Sequence, residues 1–355
     1  MRWTCNFNRM NRLLIGLLLP LLLVSCVRGG GYVAFQGYAQ GGTYTVKVNL
    51  SGVSERPDAI HAGIEAILQN VDTTLSGYNK GSLLSRFNRG ETIVPNTLFL
   101  DMYDFSRKYF EESEGLLDVA AGPLFDVWGF GFTADSLPPQ TKIDSALAIS
   151  GMKRLVPSLR DVVKEDGTLD PADAVIGGGA LPRLNYNAVA QGYTCDLVAA
   201  YLHGLGVKDM LVDIGEIFCD GVNPSGKPWS VGVDRPVDGN NTPGADLDGI
   251  WQSSTGPQGV VTSGNYRKFY VVNGQKYAHT INPRTGFPAR DSLLSATIVT
   301  AAAGDADAVA TWAMVLGFEG ARELLLSRPD LEGYLIYSGK GDTMQQWASP
   351  GFNLK

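Results

Sequence analysis

Leu294-Ser-Ala-Thr-Ile-Val-Thr300, followed by Asp305-Ala-Asp307-Ala-Val-Ala-Thr311-Trp-Ala-Met-Val-Leu-Gly317, reads as a strand leading into a helix. Acidic residues in a first helical turn suit the positive end of the helix dipole. Asp307 and Thr311 are four apart, so their side chains lie on one face, a turn from each other. A carboxylate and a hydroxyl stacked in this way offer two hard oxygen ligands, the kind Mg²⁺ prefers. The same residues also describe an acidic-capped helix with an apolar face of Val309, Trp312, Met314 and Leu316. On spacing alone that plainer meaning is the commoner one.

Outward from this stretch, strands and helices are mixed without regular alternation. Helical spacing covers residues 57–74, 98–113, 142–155 and 320–326, and a strand-to-helix turn at 184–193 leads into a helix that closes at Gly206. Strand patterns cover 44–49, 210–214, 216–219, 229–233, 260–264, 267–272 and 333–337, with a short strand pair expected from 162–169 and 174–176. Residues 236–259, rich in Pro, Gly, Asn and Asp, read as a surface loop insertion with room for a hairpin, and 277–286 as a loop. Adjacent strands are often hairpin-like. The expected fold class is therefore α+β: one catalytic domain with a mixed, largely antiparallel sheet flanked by helices.

The 355 residues suffice for one large domain or two small ones. The net charge of −7 and the lack of a Lys/Arg cluster exclude a nucleic-acid-binding surface. Residues 1–25 read as a signal peptide. Arg2, Arg9 and Arg12 form a basic leader, and Leu13 to Val24 is an apolar run too short to span a bilayer. Leu23-Val24-Ser25-Cys26 resembles a bacterial lipobox, with Cys26 as the lipidated mature N-terminus. Losing three arginines takes the charge from −7 to −10. The expected organisation is a signal peptide (1–25), a flexible tether (26–36) and a domain over 37–355. Acyl chains on Cys26 would hold it to a membrane outside the cytoplasm, at the periplasmic face of the inner membrane. Cys195 and Cys219 read as separate buried thiols, with a disulfide between them left open.

Walker A, GxGxxG, GxSxG and HExxH patterns are absent. His61 and His203 lie on helical segments and read as packing or surface residues. His279 precedes Asn282-Pro283-Arg284-Thr285-Gly286 in a loop, where an imidazole can serve as a general base.

Eight stretches, in order, resemble the FAD:protein FMN transferases, the ApbE-type flavin transferases. They are Gln40-Gly-Gly-Thr-Tyr44; Leu75-Ser-Gly-Tyr78-Asn79 with 82–88; Gly115 to Gly131; Ala188-Val-Ala-Gln-Gly-Tyr193 with Asp196; Val212-Asp-Ile-Gly-Glu216; Thr262-Ser-Gly-Asn-Tyr-Arg267; His279 to Gly286; and Ala306-Asp307 to Thr311. The resemblance implies that Mg²⁺ bridges the pyrophosphate of bound FAD. A Thr or Ser hydroxyl of a target flavoprotein in a membrane redox complex attacks the FMN-side phosphorus, and AMP leaves. It also implies Asp307, Thr311 and the main-chain oxygen of Ala188 as metal ligands, and His279 as base. Tyr78, Leu116, Leu117, Asp118, Asn185, Gln191 and Ile281 are the implied FAD contacts, with Thr262, Ser263 and Gly264 as pocket wall. The chain departs from many members by placing amides at Asn185, Gln191 and Asn282 where those have charges. Gly41 stands where some have Met, and Ala310 where some have a ligating Asp. Two alternatives use the same residues: hydrolysis of FAD to FMN and AMP, or binding of FAD without turnover.

Overall fold

The computed structural model describes residues 25–26, 31–129, 137–240, 242–266, 269–272 and 275–355. The chain opens with β1 (Ser25–Cys26), β2 (Tyr32–Ala39) and β3 (Gly42–Asn49). A helical stretch follows: α1 (Pro57–Leu75), α2 (Leu83–Asn88), α3 (Thr97–Glu112), α4 (Gly122–Trp128), α5 (Gln140–Ile149) and α6 (Ala190–Gly204). Next come β4 (Met210–Asp213), β5 (Ile217–Asp220), β6 (Ser230–Asp234), β7 (Leu247–Gln252), β8 (Gln258–Gly264), β9 (Phe269–Val272), β10 (Gln275–Ala278) and β11 (Leu293–Thr300). The chain closes with α7 (Ala303–Ser327), β12 (Glu332–Ser338) and β13 (Met344–Ala348).

Nine strands form one sheet in the order β1-β2-β3-β4-β5-β8-β11-β12-β13, while β6–β7 and β9–β10 are separate hairpins. The period-2 alternation of each strand sorts its side chains onto two faces. Val46, Val212, Phe218, Val261, Ile298 and Leu335 point to the layer formed by α1, α3, α6 and α7. Leu211, Cys219, Val260, Val299 and Ile336 point the other way, onto Trp229 and Trp251 of the β6–β7 side. Cys195 and Cys219 are buried free thiols. Helix α7 lies very close to β8, because a Cβ on Gly259 would fall 2.3 Å from the Ala303 nitrogen. At Gly317 (φ 77°, ψ −178°) its helical path is interrupted. Asp291 sits where a side chain at 317 would go and accepts the Phe318 N–H at 2.7 Å.

The α+β class expected from the sequence is the class observed, with several corrections. Every described strand pairing is antiparallel, so the sheet is not mixed. The tether expected over 26–36 is too long. Tyr32 onward is β2, whose β-prone run buries Phe35 completely, and Ser25–Cys26 pairs with it. The helix expected over 142–155 stops at Ile149, because Gly151 adopts φ 109°. The strand pair expected at 162–169 and 174–176 is replaced by short 3₁₀ turns. Ser158 and Asp170 cap these turns and Pro171 starts the second. The segment 184–189 leading into α6 is not a strand; Leu184 is instead held by the Asn88 amide in two reciprocal bonds of 2.8 Å. Within the supposed 236–259 loop, β7 pairs with β6 and buries Trp251. Residues 277–278 belong to β10, and β13 lies beyond the strand expected to close the sheet. Residues 1–24 of the leader, and Arg267 at the start of an expected strand, lie outside the described residues.

Candidate functional site

One end of the sheet gathers the motifs. Thr45 pairs with Asp213, so the β2–β3 turn and the β4–β5 turn leave the same end. Antiparallel pairing carries the C-terminal residues of β8, Thr262 to Gly264, toward that end as well. Ser295 of β11 pairs with Gly264, so the chain leaves β8 and re-enters β11 at this end, and His279 lies between the two.

Helices α6 and α7 meet over this region. Gly192, in the first turn of α6, has no room for a side chain, since a Cβ would lie 2.2 Å from the Ala303 oxygen and 2.7 Å from the Asp307 Cβ. That proximity lets Asp307 Oδ2 accept the Gly192 N–H at 3.0 Å. Asp196, on α6, accepts the N–H groups of Ala303 and Gly304 at 2.8 Å each. Asp307 is only 5 % exposed and forms no ion pair among the described residues. Burial, with the nearby charge of Asp196, pushes its carboxyl up to about 8 against the pull of the Gly192 N–H. An acid in that position favours a cation beside it. Thr311 follows one turn later, half-buried, and Ala188 lies just before α6. Asp305 differs, because Tyr109 Oη donates to it at 2.6 Å and Lys108 lies 3.5 Å away. Among the described residues, no cluster of three or more His, Cys, Asp or Glu could hold a metal. A cation here would rest on one carboxylate, a hydroxyl and a main-chain oxygen, leaving positions for substrate oxygens, as Mg²⁺ sites commonly do.

Three loops border the α6 start. Asn187 Nδ2 donates to Tyr78 Oη at 3.3 Å, and Tyr78 is 69 % exposed. The Asn185 N–H donates to the Val119 carbonyl at 2.7 Å, joining the 184–188 loop to the segment holding Leu116, Leu117 and Asp118. Leu117 is committed to the core. The Asp118 carboxyl, pushed up to about 6 by burial, accepts from Ala120 N at 2.9 Å and Met152 N at 3.1 Å. Leu117 and Asp118 thus shape their segment from within. Gln191 Nε2 reaches the Ile214 carbonyl at 3.3 Å, fastening α6 to the β4–β5 turn. Ile281 packs with Ala121 and Leu124, so the half-buried His279 rides on a loop that touches the same segment. Arg284 donates to the Glu114 carbonyl at 2.6 Å and Trp128 Nε1 to that of Gly286 at 2.7 Å, anchoring that loop further. His61 and His203 lie elsewhere, bonded to Tyr44 and Asp220.

The profile of the ApbE family matches residues 41–335, most of the chain. The chain belongs to the ApbE family. A Haemophilus influenzae protein named FAD:protein FMN transferase is 31 % identical over 335 residues, covering 91 % of each chain. The Escherichia coli K12 protein of the same name is 30 % identical over 318 residues, covering 86 % of this chain and 84 % of its own length. The flavin transferase ApbE from Vibrio cholerae superimposes with a TM-score of 0.74 at 27 % identity, over 90 % of this chain and 98 % of that one.

As an ApbE-family site it holds residues that spacing did not single out. Asp196 stands within a recognised stretch, but its capping of α7 is made across 107 residues. Asn187, adjacent to Ala188, meets Tyr78 across 109 residues. The Asn-Tyr-Asn run at 185–187 was the available signal, since paired Asn residues favour side-chain-stabilised turns.

Proposed function

We propose that this ApbE-family chain is a Mg²⁺-dependent FAD:protein FMN transferase that moves FMN from FAD onto a Thr or Ser hydroxyl of a target flavoprotein. The observation that carries the reading is Asp307, a buried carboxyl without a cationic partner among the described residues, one turn from Thr311 at the meeting of two helix N-termini. The donor set fits Mg²⁺: Asp307, Thr311 and the Ala188 main-chain oxygen would hold it. Bound there, Mg²⁺ would offset the charge of the FAD pyrophosphate.

The chain's own groups supply position and proton transfer. Helix N-termini of α6 and α7 favour phosphate nearby. Tyr78 and the 116–118 and 185–191 segments orient the dinucleotide. His279 takes the acceptor hydroxyl's proton as its oxygen bonds to the FMN-side phosphorus, and the bond to the AMP oxygen breaks. FMN remains as a phosphoester on the target, and AMP departs.

The direct test incubates protein, FAD and an acceptor from a membrane redox complex, with and without Mg²⁺. AMP release and covalently bound flavin are expected only with Mg²⁺, and Asp307→Ala should abolish both. Transfer undiminished in that variant at saturating Mg²⁺ would remove the metal assignment. Rapid FMN release with no acceptor would favour hydrolysis instead.

The basic leader and Cys26 support a lipid-anchored protein outside the cytoplasm, at the periplasmic face of the inner membrane. A palmitate analogue should label the wild-type chain and not Cys26→Ala; equal labelling would exclude that anchor.

A further inference from the structure

Ala39 pairs with Gly42, so β2 and β3 are joined by a two-residue turn, Gln40-Gly41. Both turn residues have positive φ, 50° and 84°. This is the hairpin turn whose first position favours Asn, Asp or Gly, because left-handed geometry crowds a longer side chain. Among the described non-glycine residues only Glu114 shares a positive φ. The tip beyond it is open, since a Cβ on Gly41 or Gly42 would meet no atom within 4 Å.

What Gln40 has is reach. Its Nε2 donates to Thr194 Oγ1 at 2.7 Å, and that hydroxyl donates to the Ala190 carbonyl at 2.6 Å. Thr194 is fully buried on α6, two residues past the Gly192 N–H that Asp307 accepts. The turn is thereby tied to the helix start that forms one side of the candidate site. Asn at position 40 would suit the backbone better, yet its side chain is one methylene too short to make this tie. Backbone strain held by a specific long-range bond is a mark of functional positioning.

We propose that Gln40 is a positioning residue that holds the β2–β3 turn, through Thr194, as a fixed wall of the FAD pocket beside the first turn of α6. The proposal rests on the FMN-transferase reading. Without the tie, the turn moves as a free hairpin tip and its wall must be ordered anew whenever FAD binds, so the loss falls on FAD affinity.

The deciding variant is Gln40→Asn, which relaxes the turn and removes the tie. Titration with FAD at constant Mg²⁺, followed by flavin fluorescence, should show affinity weakened about three- to tenfold, the range of one hydrogen bond. Thermal unfolding of the ligand-free variant should match or exceed the wild type, which a merely structural role would not produce. Thr194→Val should weaken FAD to the same degree, Thr194→Ser should retain wild-type affinity, and the double variant Gln40→Asn/Thr194→Val should be no worse than either single one. Wild-type FAD affinity in Gln40→Asn, or additive losses in the double variant, overturns the proposal while the transferase reading stands. Failure of the wild-type protein to bind FAD with Mg²⁺ overturns both.

Discussion

Asp196 and Asp307 each cap the helix that carries the other. Asp307 on α7 takes the Gly192 N–H of α6, and Asp196 on α6 takes the first two N–H groups of α7. Neither helix has a side-chain cap from its own N-cap residue, Val189 or Ala302. The exchange satisfies orphan donors at both N-termini and brings two acids into one buried region. Asp196 makes its tie through both carboxylate oxygens, and Asp307 makes its own through Oδ2.

Replacing Asp196 by Ala leaves two N–H groups at the start of α7 without their acceptor. The expected cost is about 1–3 kcal/mol, as for a lost cap and unpaired buried donors. Asp196→Asn, which keeps one acceptor oxygen, should lose less. Urea unfolding of both variants decides it: an Ala variant within about 0.5 kcal/mol of wild type, as at an ordinary surface site, would mean that the exchange holds nothing.

Asp118 supplies a pH dependence. Its carboxyl rises from an ordinary 3.8 to about 6, with burial as the largest cause. The folded state therefore holds this proton more tightly than the unfolded chain. The stabilisation is complete below pH 3.8 and is lost as pH rises through 6. In Asp118→Asn one oxygen can still serve both Ala120 N and Met152 N, as Oδ1 does now. Measured against wild type by urea unfolding, Asp118→Asn should gain in relative stability between pH 4 and pH 8, by up to about 3 kcal/mol. A difference independent of pH would place the titration elsewhere.

Contacts with a short sequence period were legible, and those made through space were not. Asp307 and Thr311 share a face because four residues make a turn, so the pair could be read without a fold. The Gln40–Thr194 bond spans 154 residues, and no spacing announces it. Glycine misled at the N-terminal side: Gly29-Gly-Gly31 suggested a tether, yet the next residue begins β2. At 236–259, turn-forming residues hid β7, whose place is earned by pairing with β6 and by the burial of Trp251. Between 159 and 174, capping Ser and Asp residues overrode apolar runs that looked like strands. The antiparallel character was readable from adjacent strands, whereas the placement of β8 between β5 and β11 required the fold itself.

Asp307→Asn separates the structural part of Asp307 from the metal part. The amide oxygen can still accept the Gly192 N–H, and the acid it replaces is one that burial pushes up to about 8. In EDTA at pH 7 the variant should therefore unfold at a temperature no lower than wild type. With FAD already bound, Mg²⁺ at a hundred times its dissociation constant should stabilise wild type by about 3 kcal/mol by mass action. The variant should gain much less from Mg²⁺ added over FAD. Equal Mg²⁺-dependent gains in the two proteins would argue that the cation binds elsewhere.

His279 offers the last test, because its loop has anchors besides the imidazole. Ile281 is packed against Ala121 and Leu124, Gly286 is bonded by Trp128, and Arg284 is tied to Glu114. Removing the ring should leave that frame, and the binding of FAD, nearly intact. Loss of a general base lowers turnover by about 10²–10⁴-fold. His279→Ala should therefore show FAD affinity close to wild type in fluorescence titration, with covalent flavin transfer falling by that factor. Added imidazole should restore part of the lost rate if the ring's task is to accept the hydroxyl proton. A variant that loses FAD binding in proportion to turnover would instead assign His279 to holding the pyrophosphate, and one with full turnover would withdraw it from the chemistry.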